Sequence, residues 1–250
     1  MIIATTNSKG GVGKSTIATH LAGWIHNYGY RVTLLDCDAQ KLASRWIEDA
    51  VPEIDCVASH DPEVISKVIP KLAEAYDVVV IDAPGGLGDI AGAIMAHAFA
   101  VLIPTGASFQ DVRGLEWTTE QVHEIQKLRG GLPHAVIVPV QVNARRKSYR
   151  YLMDTAKELH FGITESRITT REIWKAADPK TQDPKLIWQR GKSKDIRTAT
   201  AEMDALFSEI FPEICEEEPG RIMAQFGTKK KVKPVTQSDD YSEQRNIANS

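Results

Sequence analysis

The chain has 250 residues, 42% hydrophobic and 25% charged, an ordinary globular composition that excludes a collagen-like or disulfide-stapled protein. Its 30 Lys and Arg against 33 Asp and Glu leave a formal charge of −3, so no overall basicity advertises a nucleic-acid partner. The cysteines Cys37, Cys56 and Cys215 are too scattered for a disulfide framework or a Cys-X-X-Cys metal site and suit a reducing cytosol.

Met1–Thr6 runs straight into a lysine and a glycine cluster rather than a longer apolar stretch, so neither a secretory signal nor a membrane span is expected and the protein is expected to be cytosolic. In chain order, short Val- and Ile-rich runs at Ile2–Thr5, Val32–Leu35, Asp77–Ile81, Ala100–Pro104 and Ala135–Val140 read as strands. Amphipathic stretches at Ser15–Tyr28, Pro62–Ala75, Gly88–His97, Gly114–Leu128 and Tyr149–His160 read as the helices between them. Each is long enough to carry a chain from one parallel strand to the next. Continuous apolar strands joined by helices predict a doubly wound α/β fold, a mostly parallel sheet with helices on both faces. Pro179–Lys194 reads as a long surface loop before a last helix near Asp195–Phe211, and residues 1–215 as one domain. The composition of 216–250 cannot bury enough apolar surface to order itself, so a disordered tail is expected there.

The segment Ser8-Lys9-Gly10-Gly11-Val12-Gly13-Lys14-Ser15-Thr16 joins the first strand to the first helix, the context a phosphate loop requires. Its glycines free the backbone to turn successive N–H groups toward one anion. Lys14 would reach the β- and γ-phosphates, and the Ser15 hydroxyl would bind Mg²⁺. The usual pattern has glycine where this chain has Ser8. With Lys9 added, the run Lys9-Gly10-Gly11-Val12-Gly13-Lys14-Ser15 resembles the deviant Walker A box of the ParA/MinD family of ATPases.

Four further stretches extend the resemblance, which covers about residues 1–212. Leu34-Leu35-Asp36-Cys37-Asp38-Ala39-Gln40 is similar to the family's Asp-X-Asp-Pro-Gln segment, with Ala39 in place of proline. Val78-Val79-Val80-Ile81-Asp82-Ala83-Pro84-Gly85-Gly86 ends an apolar strand in an acid, where a Walker B aspartate belongs, but has Gly85-Gly86 after Pro84. Val101–Thr105 with Asp111 and Gly114, and Val142–Arg145, look like the family's later strand ends. The resemblance implies ATP and Mg²⁺ as cofactors, with the nucleotide held by residues 9–16. It implies Ser15, Asp36 and Asp82 around the metal, and Lys9, Lys14 and Asp38 as the catalytic set. In that reading Lys9 reaches the nucleotide of a second subunit, two ATP molecules lie between two copies of the chain, and Asp38 orients the attacking water.

The first strand begins at Ile2, so no amino-terminal helix-turn-helix domain is expected and the chain looks like a small ParA. It would then bind DNA non-specifically, associate with the nucleoid when ATP-bound, and answer to a ParB-like adaptor in segregating plasmid or chromosomal DNA. The same cycle could instead position a protein cluster or organelle, or act at a membrane surface as MinD does. Residues 141–200 carry 14 basic against 7 acidic side chains, whereas 1–140 carry 10 against 16. Arg145, Arg146, Lys147, Lys175, Lys192, Lys194 and Arg197, with Arg150, Arg171 and Arg190, are therefore candidate phosphate contacts without base readout. Arg221–Phe226 followed by Lys229–Lys231 is too poor in apolar residues for stable membrane anchoring. The absence of cysteine between Cys56 and Cys215 excludes the iron–sulfur branch of the family. The seven histidines show no ligand spacing, and the five tryptophans read chiefly as helix packing.

Overall fold

A computed structural model describes residues 1–86, 88–176 and 184–216, the side chains of Lys175, Ala176 and Glu216 excepted. The expected tail and Arg221–Lys231 lie outside the described residues. Five expected strands are present as β1 (Ile2–Asn7), β2 (Val32–Asp36), β4 (Val78–Gly85), β5 (Ala100–Thr105) and β6 (His134–Val142), joined by the short β3 (Asp55–Ala58), β7 (Gly162–Ile163) and β8 (Ile168–Thr169). The strands run in the order β3-β2-β4-β1-β5-β6-β7, with β8 pairing the end of β6, and every pairing is parallel.

The apolar runs divide between two cores by simple alternation. Ile3, Leu34, Val78, Val80 and Leu102 face one side of the sheet; Ala4, Leu35, Val79, Ile81 and Ile103 face the other. Period-two side-chain direction on a sheet covered on both faces accounts for the split. The first layer holds α1 (Lys14–Asn27), α2 (Leu42–Ala50), α8 (Lys194–Ile210) and α9 (Pro212–Glu216). The second holds α3 (Pro62–Ala75), α4 (Asp89–His97), α5 (Phe109–Leu128) and α6 (Lys147–Glu158). A short helix, α7 (Glu172–Ala176), completes the set.

Three local features depart from the sequence expectation. Helix α5 starts five residues before Gly114, because Ser108 and Asp111 form a reciprocal capping box that satisfies its first amides. Helix α2 and strand β3 carried no expectation; β3 is a half-exposed edge strand with no fully buried side chain, so it lacks the apolar run that marks its neighbours. Within the expected surface loop 179–194, Leu186 and Ile187 are fully buried in the first core and Ile187–Gln189 forms a 3₁₀ turn. Residues 177–183 lie outside the described set.

Candidate functional site

In an open parallel sheet, ligands bind outside the carboxyl ends of the strands where the winding changes direction. Here β1 lies between β4 and β5, and the loop that leaves it is Ser8–Gly13. Register places Asp82 beside Asp36 on one side and beside Thr5 on the other, so two carboxylates far apart in sequence meet at one edge. Gly11 (φ 75°) and Gly13 (φ 91°) occupy the left-handed region that side chains resist. Gly13 also sits so close to Val140 of β6 that an added Cβ would lie 3.1 Å from its Cγ1.

The loop folds around Lys14. Lys14 is 7% exposed, and its ammonium donates to the Lys9 carbonyl at 3.0 Å. Burial lowers its pKa, opposed by the charges of Asp82 and Asp38. Ser15 Oγ donates to Asp82 Oδ2 at 2.6 Å, and Thr5 Oγ1 lies 3.3 Å from the other oxygen of the same carboxylate. Asp82 is fully buried, and desolvation pushes its pKa up to about 7, against the Ser15 hydrogen bond. Asp36 is fully buried too, and its pKa is also raised by burial. Its oxygens accept the backbone N–H groups of Asp38 (3.0 Å) and Ser44 (2.8 Å). Asp36 thus braces the Asp38–Ser44 turn, and each of its oxygens, having taken one N–H, keeps a lone pair for a further partner. Asp38 is half-buried at the mouth of the site and accepts from the Gln40 amide at 2.9 Å.

Ser8, the departure from the usual loop pattern, has a clear use. Its amide donates to Thr118 Oγ1 (3.0 Å) and its hydroxyl to the Gly114 carbonyl (2.7 Å), fastening the loop to α5. Lys9 forms an ion pair with Asp111 of the same helix, and that ammonium together with Ser108 holds the Asp111 carboxyl below its ordinary range despite burial. No sequence spacing points to Thr118; only the approach of α5 to the loop brings it there.

The basic candidates do not form one set with the loop. Arg145, Arg146, Lys147 and Arg150 are exposed where β6 gives way to α6, and Lys192, Lys194 and Arg197 are exposed around the start of α8. Lys175 lies in α7, and its side chain is outside the described residues. Arg171 is engaged by Glu202 at 2.7 Å, and Arg190 donates to the Ile173 carbonyl. Among the described residues no cluster of three or more His, Cys, Asp or Glu could hold a metal, and no helix is long and apolar enough to cross a membrane.

Comparison with known proteins points to a nucleotide-binding family. The family described as CobQ/CobB/MinD/ParA nucleotide binding domain matches residues 3–175. The chain is 26% identical to maintenance of carboxysome distribution protein A of Halothiobacillus neapolitanus over 216 residues, covering 84% of this chain and 96% of that one. It is 29% identical to the chromosome-partitioning ATPase Soj of Thermus thermophilus over 153 residues, 48% of this chain and 61% of Soj. Among solved structures, the Cyanothece McdA(D38A)–ATP complex superposes with a TM-score of 0.68 at 18% identity, over 84% of this chain and 95% of that one.

Proposed function

The chain belongs to the CobQ/CobB/MinD/ParA nucleotide-binding family, and from that premise we propose that it is an ATP-driven dimerising switch that binds DNA non-specifically and segregates DNA cargo. Its ATPase unit would be residues 1–215. The observation that carries the reading is Lys9 and the buried Lys14 on one loop, beside a Ser15–Asp82 pair of 2.6 Å.

The residues present fit ATP and Mg²⁺. A hydroxyl and a carboxylate in contact offer the hard oxygen donors that Mg²⁺ prefers, and a buried carboxylate gains from a nearby cation. When bound, Mg²⁺ neutralises phosphate charge and favours phosphoryl transfer. Ser15 and Asp82 would hold it, with Asp36 as their brace. The amides of Gly10–Thr16 and the Lys14 ammonium would cradle the phosphates, aided by the positive end of α1. Asp38, at the mouth, would orient water toward the γ-phosphate. Lys9 would leave Asp111 and stabilise the charge that develops on the nucleotide of a second copy. Two copies must then assemble before hydrolysis, so the chain alone should hydrolyse slowly and an adaptor should accelerate it.

Lys192, Lys194 and Arg197 surround the amino end of α8, whose dipole adds to their attraction for phosphate. A second reading, positioning of a protein assembly by the same cycle, is favoured by the carboxysome-distribution relative, which is matched over 96% of its length. Co-sedimentation with plasmid DNA in ATP and in ADP, alongside phosphate release, tests the switch. ATP-dependent pelleting that disappears in Lys14→Ala supports it. Equal pelleting in the two nucleotides, or hydrolysis unaffected by Lys14→Ala, overturns it. Anionic vesicles in place of DNA test the membrane alternative.

A further inference from the structure

His20 lies on α1 one turn beyond the phosphate loop, is fully buried, and has no part in the chemistry above. Its Nδ1 is 2.7 Å from the Thr16 carbonyl, which can only accept, so Nδ1 carries the proton. Nε2 is then the acceptor, and it takes the Ile187 amide at 3.0 Å. One neutral ring thus bridges the backbone of the phosphate loop and the backbone of the 3₁₀ turn that leads to α8. Burial, with the charge of Arg190, holds its pKa down at about 4, which keeps this hydrogen-bonding pattern intact at neutral pH.

Three indoles close around that ring, each edge-on: Trp46 of α2 at 5.4 Å between centroids, Trp174 of α7 at 5.8 Å, and Trp188 of the 3₁₀ turn at 5.4 Å. Four elements therefore meet at His20. The contact is tight. One turn along α1, a Cβ on Gly23 would lie 2.3 Å from Leu186 Cδ1. Gln189 fastens the turn to the end of α2 by donating to the Ala50 carbonyl at 2.8 Å. The other end of α2 is held by Asp36 through the Ser44 amide, so α2 links the strand-end carboxylates to Trp46.

The cluster is also incompletely satisfied. Among the described residues, the indole N–H groups of Trp46 and Trp174 are buried without a hydrogen-bond partner. Buried orphan donors are costly, and a second arrangement of the indoles that gave them partners would relieve that cost. An element with a reason to have two arrangements is what coupling between sites requires.

We propose that His20 is a positioning residue through which nucleotide binding at Lys14–Thr16 is transmitted to the Leu186–Gln189 turn and on to the basic start of α8. The inference rests on the ATP-site reading but not on the identity of the cargo. Occupancy of the loop shifts the Thr16 peptide and the turn after Asp38; His20 and Trp46 carry that shift to Ile187 and Trp188. Shortly after Trp188 come Ser193, the α8 cap, and around it the exposed Lys192, Lys194 and Arg197.

The test uses the full chain, with amide hydrogen exchange at Leu186–Gln189 and tryptophan emission read without nucleotide, with Mg-ADP and with Mg-ATP. In the wild type, ATP should slow exchange of the Ile187 amide by about fivefold or more and change the emission. His20→Asn keeps a donor for Thr16 but cannot reach Ile187. It should bind ATP within about threefold of wild type, yet lose the ATP effect on Ile187 and most of the ATP-over-ADP preference for DNA. Trp46→Phe keeps the ring contact and removes one orphan donor, so it serves if His20→Asn fails to fold. Its thermal stability should equal or exceed wild type, and the ATP-dependent slowing of Ile187 amide exchange should weaken. ATP binding with no change at Ile187 in the wild type overturns the inference while leaving the ATP site standing, as does an unaltered ATP response in His20→Asn. Absence of ATP binding overturns the ATP-site reading and the inference with it. Retained exchange coupling in a protein that ignores DNA supports the inference and overturns the DNA reading alone.

Discussion

The phosphate-loop edge and the basic stretch 141–200 are built on opposite principles. At the loop edge, Lys14, Asp36 and Asp82 are almost entirely buried, and their polar atoms are held by a few short bonds to the loop itself and to the first turns of α1 and α2. In the basic stretch most of the described basic side chains are exposed and dispersed over two helix starts, and Arg171, half-buried, is answered by Glu202 of α8. A buried charge is costly unless a ligand or partner answers it, so the first region is organised around a specific occupant. Exposed charges bind through counterion release, which needs no fixed geometry. Removing one group should therefore be drastic in the first region and graded in the second.

The largest effect should come from Lys14→Ala, which should lower ATP hydrolysis by about a thousandfold and abolish ATP-dependent dimerisation, measured by phosphate release and by light scattering on a sizing column. Hydrolysis within tenfold of wild type would erase the contrast.

Next comes acid stability at His20, between the two regions. Its folded-state pKa of about 4 lies below the ordinary 6.5, so the unfolded chain takes up the proton first. Its contribution is full above pH 6.5 and is lost as pH falls toward 4, by about 3 kcal/mol in all. Urea unfolding at about pH 7 and about pH 4.5 should show a steeper loss in the wild type than in His20→Gln, which cannot titrate. Equal slopes would mean that the ring does not stay neutral.

Lys9→Ala should cost about tenfold to a hundredfold in hydrolysis but less than about threefold in ATP affinity, because the Lys9 ammonium is tied to Asp111 of its own chain and only its backbone carbonyl, which alanine keeps, meets Lys14. A matching loss of binding by fluorescent-nucleotide titration would place Lys9 on its own subunit's ATP. The smallest change per residue should come from alanine at Lys192, Lys194 and Arg197. Each should reduce the salt dependence of DNA affinity by about one phosphate contact and leave hydrolysis in the absence of DNA within twofold or so of wild type. A loss confined to one of the three would indicate a specific contact instead of a diffuse surface.

Much of the first region could be read in advance because its chemistry sits in contiguous runs. The order of residues 8–16, with an apolar strand before them and a helix after, carries both the backbone geometry and the charged group. Asp82 and Asp36 were recognisable as strand-end acids, but their adjacency is a matter of register. Amphipathic periodicity places the start of α5 at Gly114, whereas the capping-box spacing of Ser108 and Asp111 starts it at Phe109. The surface-loop reading of 179–194 failed at Leu186 and Ile187, since prolines and polar neighbours outweighed two apolar residues with no periodicity around them.

By itself, then, the sequence determined the alternation of strands and helices, the phosphate loop and the two-sided burial of the sheet, because each follows from local pattern and the direction of successive side chains. Strand order, the meeting of Asp36 with Asp82, the Ser8 anchorage to α5 and the burial of His20 among three tryptophans were decided only by tertiary structure. Each joins residues separated by tens of positions or more, and such partners are chosen by packing and hydrogen-bond satisfaction across the whole chain.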